Sequence, residues 1–185
     1  MRGPYQILIP LLSLFFCRVD LTDLFPLNYR VKLIRLLDAD TAKVNLNGQV
    51  VSVRLDKIDA AEKGQPLIGG KGDAGLIALN CAEEVLKQKH KVAINLQIKG
   101  FDRYGRILGD LDGLSFQLVE AGCVGLYPQA CFSSLQEKTY FLKALKKARE
   151  HRIGVWSRGG YQRPQLWRKT QFKQKKRALS APLKS

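Results

Sequence analysis

Apolar residues alternate with polar and basic ones along much of the first third of the chain. Three stretches carry this pattern: Tyr29–Leu37, Thr41–Asn47 and Gln49–Ile58. Because successive side chains of a β-strand lie on opposite faces, we predict three strands, with a hairpin turn at Asn47 and Gly48. In the third strand Val53 and Leu55 share one face, and Arg54 lies on the other.

Further along the chain, helical and strand-like patterns follow one another. The predicted elements are a helix from Asp73 to about Lys89, strands over Lys91–Ile98 and Arg106–Leu111, a short helix over Leu114–Ala121 and a longer helix over Ser133–His151. Asp73 is a suitable N-cap for the first helix, and Gly154 ends the last one. About five short strands with separate helices predict an α+β fold, a small β-barrel with helices packed outside.

Positive charge is the unusual part of the composition. The 185 residues carry a formal net charge of +15, which implies a polyanionic partner, either nucleic acid or an anionic membrane surface. Residues 158–185 contain no Asp or Glu, and such one-sign segments rarely pack. We therefore expect a basic, disordered tail, in which Trp167 and Phe172 either stack on bases or dock on the domain surface.

The N-terminal segment resembles a targeting signal. Arg2 precedes the apolar run Ile7–Cys17, which is shorter than a membrane span. Residues 1–19 are thus expected to be a signal peptide or a short anchor, although no typical cleavage site follows. A buried N-terminal strand or helix is the alternative. We expect a secreted or envelope-associated (periplasmic) monomer, with weak membrane association through this segment as a further option.

The cysteine pattern does not settle the compartment. The chain has no C-x-x-C pair, so a zinc site is not expected. Cys123 and Cys131 are close enough in sequence to bridge after export. Cys81 lies among helical residues, and we expect it to be a core thiol.

Two pairs of carboxylates lie close to predicted strand ends. Asp38 and Asp40 are two residues apart, so in extended chain both side chains can face a calcium or magnesium ion. The alternative is an Asx turn. Asp59 and Glu62 are three residues apart, which suits either a capping pair or a metal ligand beside a carboxylate that positions water.

Two arginines lie in or beside strand patterns with aliphatic neighbours. These are Arg54 and Arg106. An arginine side chain is costly to bury without a partner, and its planar fork matches phosphate oxygens. Each arginine could instead pair with a structural carboxylate. Tyr104 offers a phenol close to Arg106, or packs within the hairpin.

Three ordered motifs resemble the staphylococcal (thermonuclease-type) nuclease family. They are D-A-D-T at Asp38–Thr41, V-R-L-D-K-I-D-A-A-E at Val53–Glu62 and D-R-Y-G-R at Asp102–Arg106. The resemblance extends from about Tyr29 to Trp156 and implies a nuclease domain over residues 27–157. It also implies a five-stranded OB-type β-barrel with three helices, and a calcium-dependent nuclease that cleaves DNA and RNA with little sequence preference.

The same resemblance implies roles for individual residues. Asp40 and Asp59 would bind Ca²⁺ together with the backbone carbonyl of Ala60, and Glu62 would position or deprotonate the attacking water. The phosphate would be clamped by Arg54 and Arg106. Asp38 and Thr41 would support the metal site. Substrate contacts would be made by Arg103, Tyr104 and Tyr127.

The chain departs from the family pattern at two positions. Ala39 replaces a glycine, so a positive φ there would strain the turn that carries Asp40. Ala61 replaces a proline, which would loosen the loop that carries Glu62. The alternative function is a non-catalytic nucleic-acid-binding OB-fold module, against which the intact set of carboxylates and arginines argues.

Overall fold

The computed structural model describes residues 27–69, 71–88 and 93–179. The strands are β1 (Leu27–Asp38), β2 (Thr41–Leu46), β3 (Gln49–Leu55), β4 (Ile58–Asp59), β5 (Ile94–Phe101), β6 (Ile107–Leu111) and β7 (Gly125–Leu126). The helices are α1 (Ala74–Lys87), α2 (Leu114–Glu120), α3 (Leu135–Glu150), a 3₁₀ helix (Gly154–Arg158) and α4 (Pro164–Leu179).

Five of the strands form a closed barrel in the order β1-β2-β3-β6-β5. All neighbouring pairs are antiparallel except β3 and β6, which run parallel. Asn47 and Gly48 form the turn between β2 and β3 with φ values of 51° and 88°, as a tight hairpin requires. The predicted α+β class and the five-stranded OB-type barrel are confirmed.

The core lies inside the barrel and beneath α1 and α2. Val44, Val53, Leu96 and Leu111 are fully buried, and each belongs to a strand that the hydrophobic pattern predicts. The Asp73 side chain accepts a hydrogen bond from the Leu76 N–H and so caps α1, as predicted.

A buried group of charges joins the end of β3 to α3. Lys57 Nζ lies 2.7 Å from Asp56 Oδ2 and 3.1 Å from Glu137 Oε1. The Lys99 ammonium lies 3.4 Å from the same Asp56 oxygen. Because each charge has an opposite partner, the group can be buried, and it fixes the turn that leads into β4.

The cysteine prediction is wrong. Cys81 of α1 is bonded to Cys123, which follows α2. Cys81 is therefore not a thiol, and Cys131 is not the partner of Cys123. Sequence proximity favoured the wrong pair because the packing of α1 against α2 decides which sulfur atoms meet, and it brings together two cysteines that are 42 residues apart in the chain.

The C-terminal segment also differs from expectation. Instead of a disordered tail, Pro164–Leu179 forms helix α4, so the described residues contain four α-helices where three were predicted. Pro164 occupies the first turn, where its missing N–H costs nothing, and Leu, Gln, Lys and Arg are good helix formers. Positive charge alone therefore did not prevent a helix from forming.

The expectation for residues 1–19, including the apolar run Ile7–Cys17, lies outside the described residues. Within the described ranges, no helix is long and apolar enough to cross a membrane.

Candidate active site

The site forms where the β1–β2 turn, the end of β3, β4 and the β5–β6 hairpin meet. Thr41, the first residue of β2, is paired with Arg54 of β3, which places the arginine beside the Asp38–Thr41 turn. Strand β4, which contains Asp59, follows β3 after a two-residue turn. The barrel thus brings together motifs that are well separated in the sequence.

Arg54 lies between the two carboxylates that sequence analysis assigned to a metal. Its Nη2 is 3.1 Å from Asp40 Oδ2 and 3.3 Å from Asp59 Oδ1, and only 15% of its side chain is exposed. The guanidinium also donates to the carbonyls of Leu55 and Ile58, each at 3.0 Å. The contacts of Nη1 and Nη2 therefore hold the guanidinium in one orientation, and the two carboxylates converge on Nη2.

Asp40 is held by its own turn and by β4. Its Oδ2 accepts from the Ala60 N–H at 2.7 Å, and its Oδ1 accepts from the Thr41 hydroxyl at 3.0 Å. The Asp38 carboxylate accepts from the Asp40 N–H at 3.0 Å. Asp38 therefore makes the Asx-turn contact that was the alternative for this pair, and both Asp38 and Thr41 support Asp40.

Asp59 is 3% exposed and carries an unpaired oxygen. Its Oδ2 is buried and has no hydrogen-bond partner among the described residues. Burial raises the pKa of Asp59 to about 6, against the opposing effect of Arg54. Burial likewise raises the pKa of Asp40, again with Arg54 opposing. A buried, unpaired carboxylate oxygen is costly, and a bound cation would remove that cost.

These residues fit a hard divalent cation. Ca²⁺ and Mg²⁺ bind carboxylate and carbonyl oxygens; Asp40 and Asp59 supply the carboxylates, and Ala60, whose N–H donates to Asp40 Oδ2, adjoins them. No group of three or more His, Cys, Asp or Glu side chains in the described part of the chain forms a metal site. The protein side of the site therefore consists of two carboxylates, and at least one further ligand must be a backbone carbonyl or a water molecule.

The loop that carries Glu62 is well held, although it lacks the family proline. Ala61 is buried, the Glu62 N–H donates to Gln65 Oε1 at 3.0 Å, and the Glu62 carbonyl accepts from the Gln65 N–H at 2.9 Å. A Cβ at Gly75 would overlap the Glu62 carbonyl group. The fully buried Gln65 and the close approach of α1 thus supply the restraint that Ala61 was expected to remove.

Ala39 causes no strain. The residues with positive φ that are not glycine are Asn47, Lys57, Asp112 and Arg152 within the described ranges, and Ala39 is not among them. Its methyl group is fully buried. The turn therefore accepts alanine, and the position of Asp40 does not depend on a glycine.

Arg106 is directed to the same turn from the β5–β6 hairpin. Its Nε donates to Asp102 Oδ2 at 2.7 Å, and its Nη1 to the Thr41 hydroxyl at 3.4 Å. Burial alone would raise the pKa of Asp102, but the hydrogen bonds from Arg106 and from the Tyr104 N–H lower it. Arg103 and Arg106 both lie over the Tyr104 ring, at 4.8 and 5.6 Å from its centroid.

Tyr127 lies at the other end of β4. Its N–H donates to the Lys57 carbonyl at 2.9 Å, and the neighbouring pairs of β4 and β7 are Ile58 with Leu126 and Asp59 with Gly125. Tyr127 therefore lies beside the start of β4, whereas Glu62 follows the end of this strand.

Two residues that the sequence did not single out contact the site. The Tyr161 hydroxyl donates to the Asp59 carbonyl at 2.9 Å and accepts from the Gly125 N–H at 2.6 Å. Arg168 of α4 forms an ion pair with Glu62, and its Nη2 lies 4.0 Å from Asp59 Oδ1. Both residues lie more than 100 positions from their partners in the sequence. The basic composition of the segment was a local signal for Arg168, and Tyr161 had none.

The barrel and its cluster of acidic residues and arginines define a class of nuclease. The sequence model described as "Staphylococcal nuclease homologue" matches residues 52–158. The chain belongs to this family, whose chemistry is generally metal-dependent, and it is a nuclease.

Curated relatives agree with this assignment. The chain is 30% identical to a "Micrococcal nuclease" of Shigella flexneri over 77% of its length and 82% of the relative's. It is 31% identical to an "Uncharacterized endonuclease" of Escherichia coli over 74% and 83% of the two lengths. "Protein ParB" of Escherichia coli is 28% identical over 76% and 79%.

Proposed function

We propose that this protein is a calcium-dependent nuclease that hydrolyses phosphodiester bonds of DNA and RNA with low sequence specificity. The observation that carries the proposal is the position of Arg54 between Asp40 and Asp59, beside the buried and unpaired Asp59 Oδ2. The all-oxygen ligand set suits Ca²⁺ and Mg²⁺ alike, and calcium is the ion that the resemblance to the staphylococcal nuclease family implies. When bound, the cation would polarise the phosphate and lower its negative charge.

The side chains of the chain would do the remaining work. Arg54 and Arg106 would donate hydrogen bonds to the phosphoryl oxygens and stabilise the charge that develops in the transition state. Glu62 would orient water and accept its proton as the water oxygen bonds to phosphorus and the bond to the leaving oxygen breaks. All of these groups address the phosphate and none reads a base, so low sequence specificity is expected.

The test is cleavage of single-stranded DNA, duplex DNA and RNA by the purified protein in calcium, magnesium or EGTA. We expect cleavage in calcium, none in EGTA, and loss of cleavage in Glu62→Ala. The matched control is Glu84→Ala, which removes an exposed carboxylate of α1 and should leave the rate unchanged. Cleavage that continues in excess EGTA, or that survives in Glu62→Ala, would contradict the proposal.

We further propose that the protein acts outside the cytoplasm, as a secreted or envelope-associated monomer. The signal-like residues 1–19 support export, and so does the Cys81–Cys123 disulfide, because disulfides persist in oxidising compartments. Fractionation of producing cells, with N-terminal sequencing of the exported protein, tests the proposal. Full-length protein recovered only from the cytoplasm with reduced cysteines would refute it. Liposome flotation with and without residues 1–19 tests weak membrane association.

A further inference from the structure

Helix α4 packs beside the loop that carries Glu62 and leaves an open groove between them. The groove has a volume of about 320 Å³ and is lined by Glu62, Lys63, Trp167, Arg168, Gln171 and Phe172. It therefore begins at the active site itself, at the carboxylate that would orient water. The proposed reaction does not require any of the four residues that α4 contributes.

The helix is attached to the site by the segment that precedes it. Gln65 Nε2 donates to the Gln162 carbonyl at 2.5 Å, and the Ile68 N–H donates to the Gly160 carbonyl at 3.0 Å. Gln65 also accepts from the Glu62 N–H, so one buried side chain holds both walls of the groove. The position of α4 relative to Glu62 is thus fixed by the same contacts that order the Glu62 loop.

The face of α4 that lines the groove combines aromatic rings with a guanidinium. Trp167 and Gln171 are four residues apart, as are Arg168 and Phe172, so the two pairs share one face. Phe172 is 71% exposed, so its ring is accessible from solvent. The helix sequence contains six Lys and Arg residues and no Asp or Glu, so the helix as a whole favours a polyanion, and Arg168 and Lys63 bring positive charge into the groove itself.

Arg168 holds a contact that a phosphate group can replace. Its guanidinium forms an ion pair with Glu62, and its Nη2 lies 4.0 Å from Asp59 Oδ1. The Arg168 side chain is 49% exposed, so a phosphate group from solvent can reach the guanidinium and compete with Glu62 for it. Phosphate and carboxylate oxygens suit the guanidinium fork equally well.

We propose that this groove is a subsite for a single-stranded nucleotide next to the scissile phosphate. One base stacks on Trp167 and Phe172, and the adjoining phosphates contact Arg168 and Lys63. The inference rests on the proposed nuclease function and deepens it by naming the preferred substrate class. The class is single-stranded because base faces are covered by neighbours in a duplex and are free to stack on side chains only in a single strand.

The first experiment measures binding without cleavage. Fluorescence anisotropy of a labelled oligothymidylate is recorded in EGTA for the full chain, for Trp167→Ala and for Phe172→Ala. We expect each variant to bind about 5- to 100-fold more weakly, as found when a ring that stacks on a base is removed. The matched control is Leu166→Ala, which removes an apolar side chain that is 46% exposed on the same helix and lies outside the groove lining.

A direct signature of stacking accompanies the binding data. Oligothymidylate should quench tryptophan emission in the full chain. It should not do so in Trp167→Phe, which keeps Trp156 as its only tryptophan. Equal affinity in the two alanine variants and the Leu166→Ala control, together with unchanged quenching in Trp167→Phe, would overturn the subsite.

The second experiment separates Arg168 from general electrostatics. In calcium, Arg168→Ala should raise the KM for single-stranded DNA about tenfold and leave kcat unchanged or higher, since Glu62 loses a competing partner. The KM for duplex DNA should change less. Lys169→Ala, which removes a neighbouring exposed charge, should change both KM values slightly and equally. An unchanged KM in Arg168→Ala would mean that the ion pair with Glu62 is only structural and would refute this role.

The outcomes also separate the two proposals. If the full chain cleaves DNA in calcium but the groove variants behave like their controls, the subsite fails and the nuclease proposal stands. If the full chain binds single strands through Trp167 and Phe172 but cleaves nothing, the subsite stands and the catalytic proposal fails.

Discussion

At the scale of single residues, Arg54 shows how the alternation of a strand places a charged side chain in the candidate site. Its neighbours Val53 and Leu55 are buried in the barrel, so the alternation of the strand turns Arg54 outward towards Asp40 and Asp59. The contacts with the carbonyls of Leu55 and Ile58 then fix its guanidinium. The guanidinium is therefore fixed beside the two carboxylates, and a charge fixed in this way is what the proposed stabilisation of a transition state would require.

We expect Arg54→Ala to reduce the rate of phosphodiester cleavage on the order of 10²-fold or more, because it removes donors aimed at the transition state. Arg106→Ala should act similarly, and it leaves the buried carboxylates with their partner Arg54. Single-turnover kinetics on protein shown to be folded measures both effects. Arg35→Ala, at an exposed strand arginine, is the control, and equal rates in all three variants would refute the assignment.

Tyr161 acts on the site through the backbone. Replacing it with Phe leaves the Asp59 carbonyl and the Gly125 N–H without their partner, and buried polar groups left unpaired cost about 1–3 kcal/mol. We expect Tyr161→Phe to lower the melting temperature and to weaken calcium binding measured by calorimetry. Tyr140→Phe, which removes an exposed hydroxyl on α3, should change neither. Unaltered calcium affinity would show that Asp59 does not depend on this hydroxyl.

At the scale of elements, two cross-links join parts of the chain that are distant in sequence. One is the disulfide between α1 and the turn after α2. The other is the charge group of Asp56, Lys57 and Glu137, which joins the turn between β3 and β4 to α3. Both position chain segments next to Asp59 and Glu62 without touching them, so they should affect stability more than catalysis.

The disulfide closes a loop over a sequence separation of 42 residues. A cross-link of this kind typically contributes about 2–4 kcal/mol by restricting the unfolded chain. We expect the double variant Cys81→Ser with Cys123→Ser to have a free energy of unfolding lower by this amount, and so to unfold at a lower urea concentration, with little change in cleavage rate at 25 °C. Reducing agent should destabilise the parent protein in the same way and have less effect on the variant. Equal midpoints for parent and variant would contradict this.

Glu137 gives the stability a pH dependence. Burial alone would raise its pKa, but hydrogen bonds from Ser133 and the charge of Lys57 outweigh burial and lower it. The ionised form is thus favoured in the folded state. Its contribution is present above the ordinary pKa of 4.5 and is lost as the pH falls through the lower folded value.

We therefore expect Glu137→Gln to be less stable than the parent by about 1 kcal/mol at pH 7, the size of a typical helix-cap effect. The difference should shrink on acidification below pH 4, where the parent glutamate is also protonated. Urea unfolding at several pH values measures this. A difference that stays constant from pH 7 to pH 3 would show that charge is not its origin.

At the scale of the whole molecule, the net charge of +15 is distributed unevenly. Helix α4 concentrates positive charge beside the acidic residues Asp59 and Glu62, so the two regions can attract a polyanion and a cation, respectively. Binding of nucleic acid should be sensitive to salt because counterions are released from the phosphates.

Removing residues 164–185 should lower the affinity for single-stranded DNA and flatten the dependence of log K on log salt. Each lost phosphate contact should reduce the slope by about 0.7 for a single strand. The kcat for a small phosphodiester should remain nearly unchanged, since Tyr161 and Gln162 are kept. A salt slope equal to that of the full chain would show that α4 does not contact the substrate.

The sequence alone predicted much of the molecule for local reasons. Strand alternation and turn residues indicated the barrel, and the D-A-D-T, R-L-x-x-I-D-A-A-E and D-R-Y-G-R motifs pointed to Asp40, Arg54, Asp59, Glu62 and Arg106. These signals are readable because a strand or a tight turn fixes its side chains through neighbours only a few residues away. The apparent risks at Ala39 and Ala61 were misjudged because their surroundings, not their own identities, set the backbone there.

Only the tertiary structure decided which distant groups meet. Cys81 bonds to Cys123, Tyr161 fixes Asp59, Gln65 joins the Glu62 loop to Gln162, and Arg168 reaches Glu62. No local pattern encodes such contacts, since they depend on how helices pack on a closed barrel. Short motifs in the sequence therefore determined which side chains form the site. The contacts that hold these side chains, and the position of α4 beside Glu62, were decided by packing between distant parts of the chain.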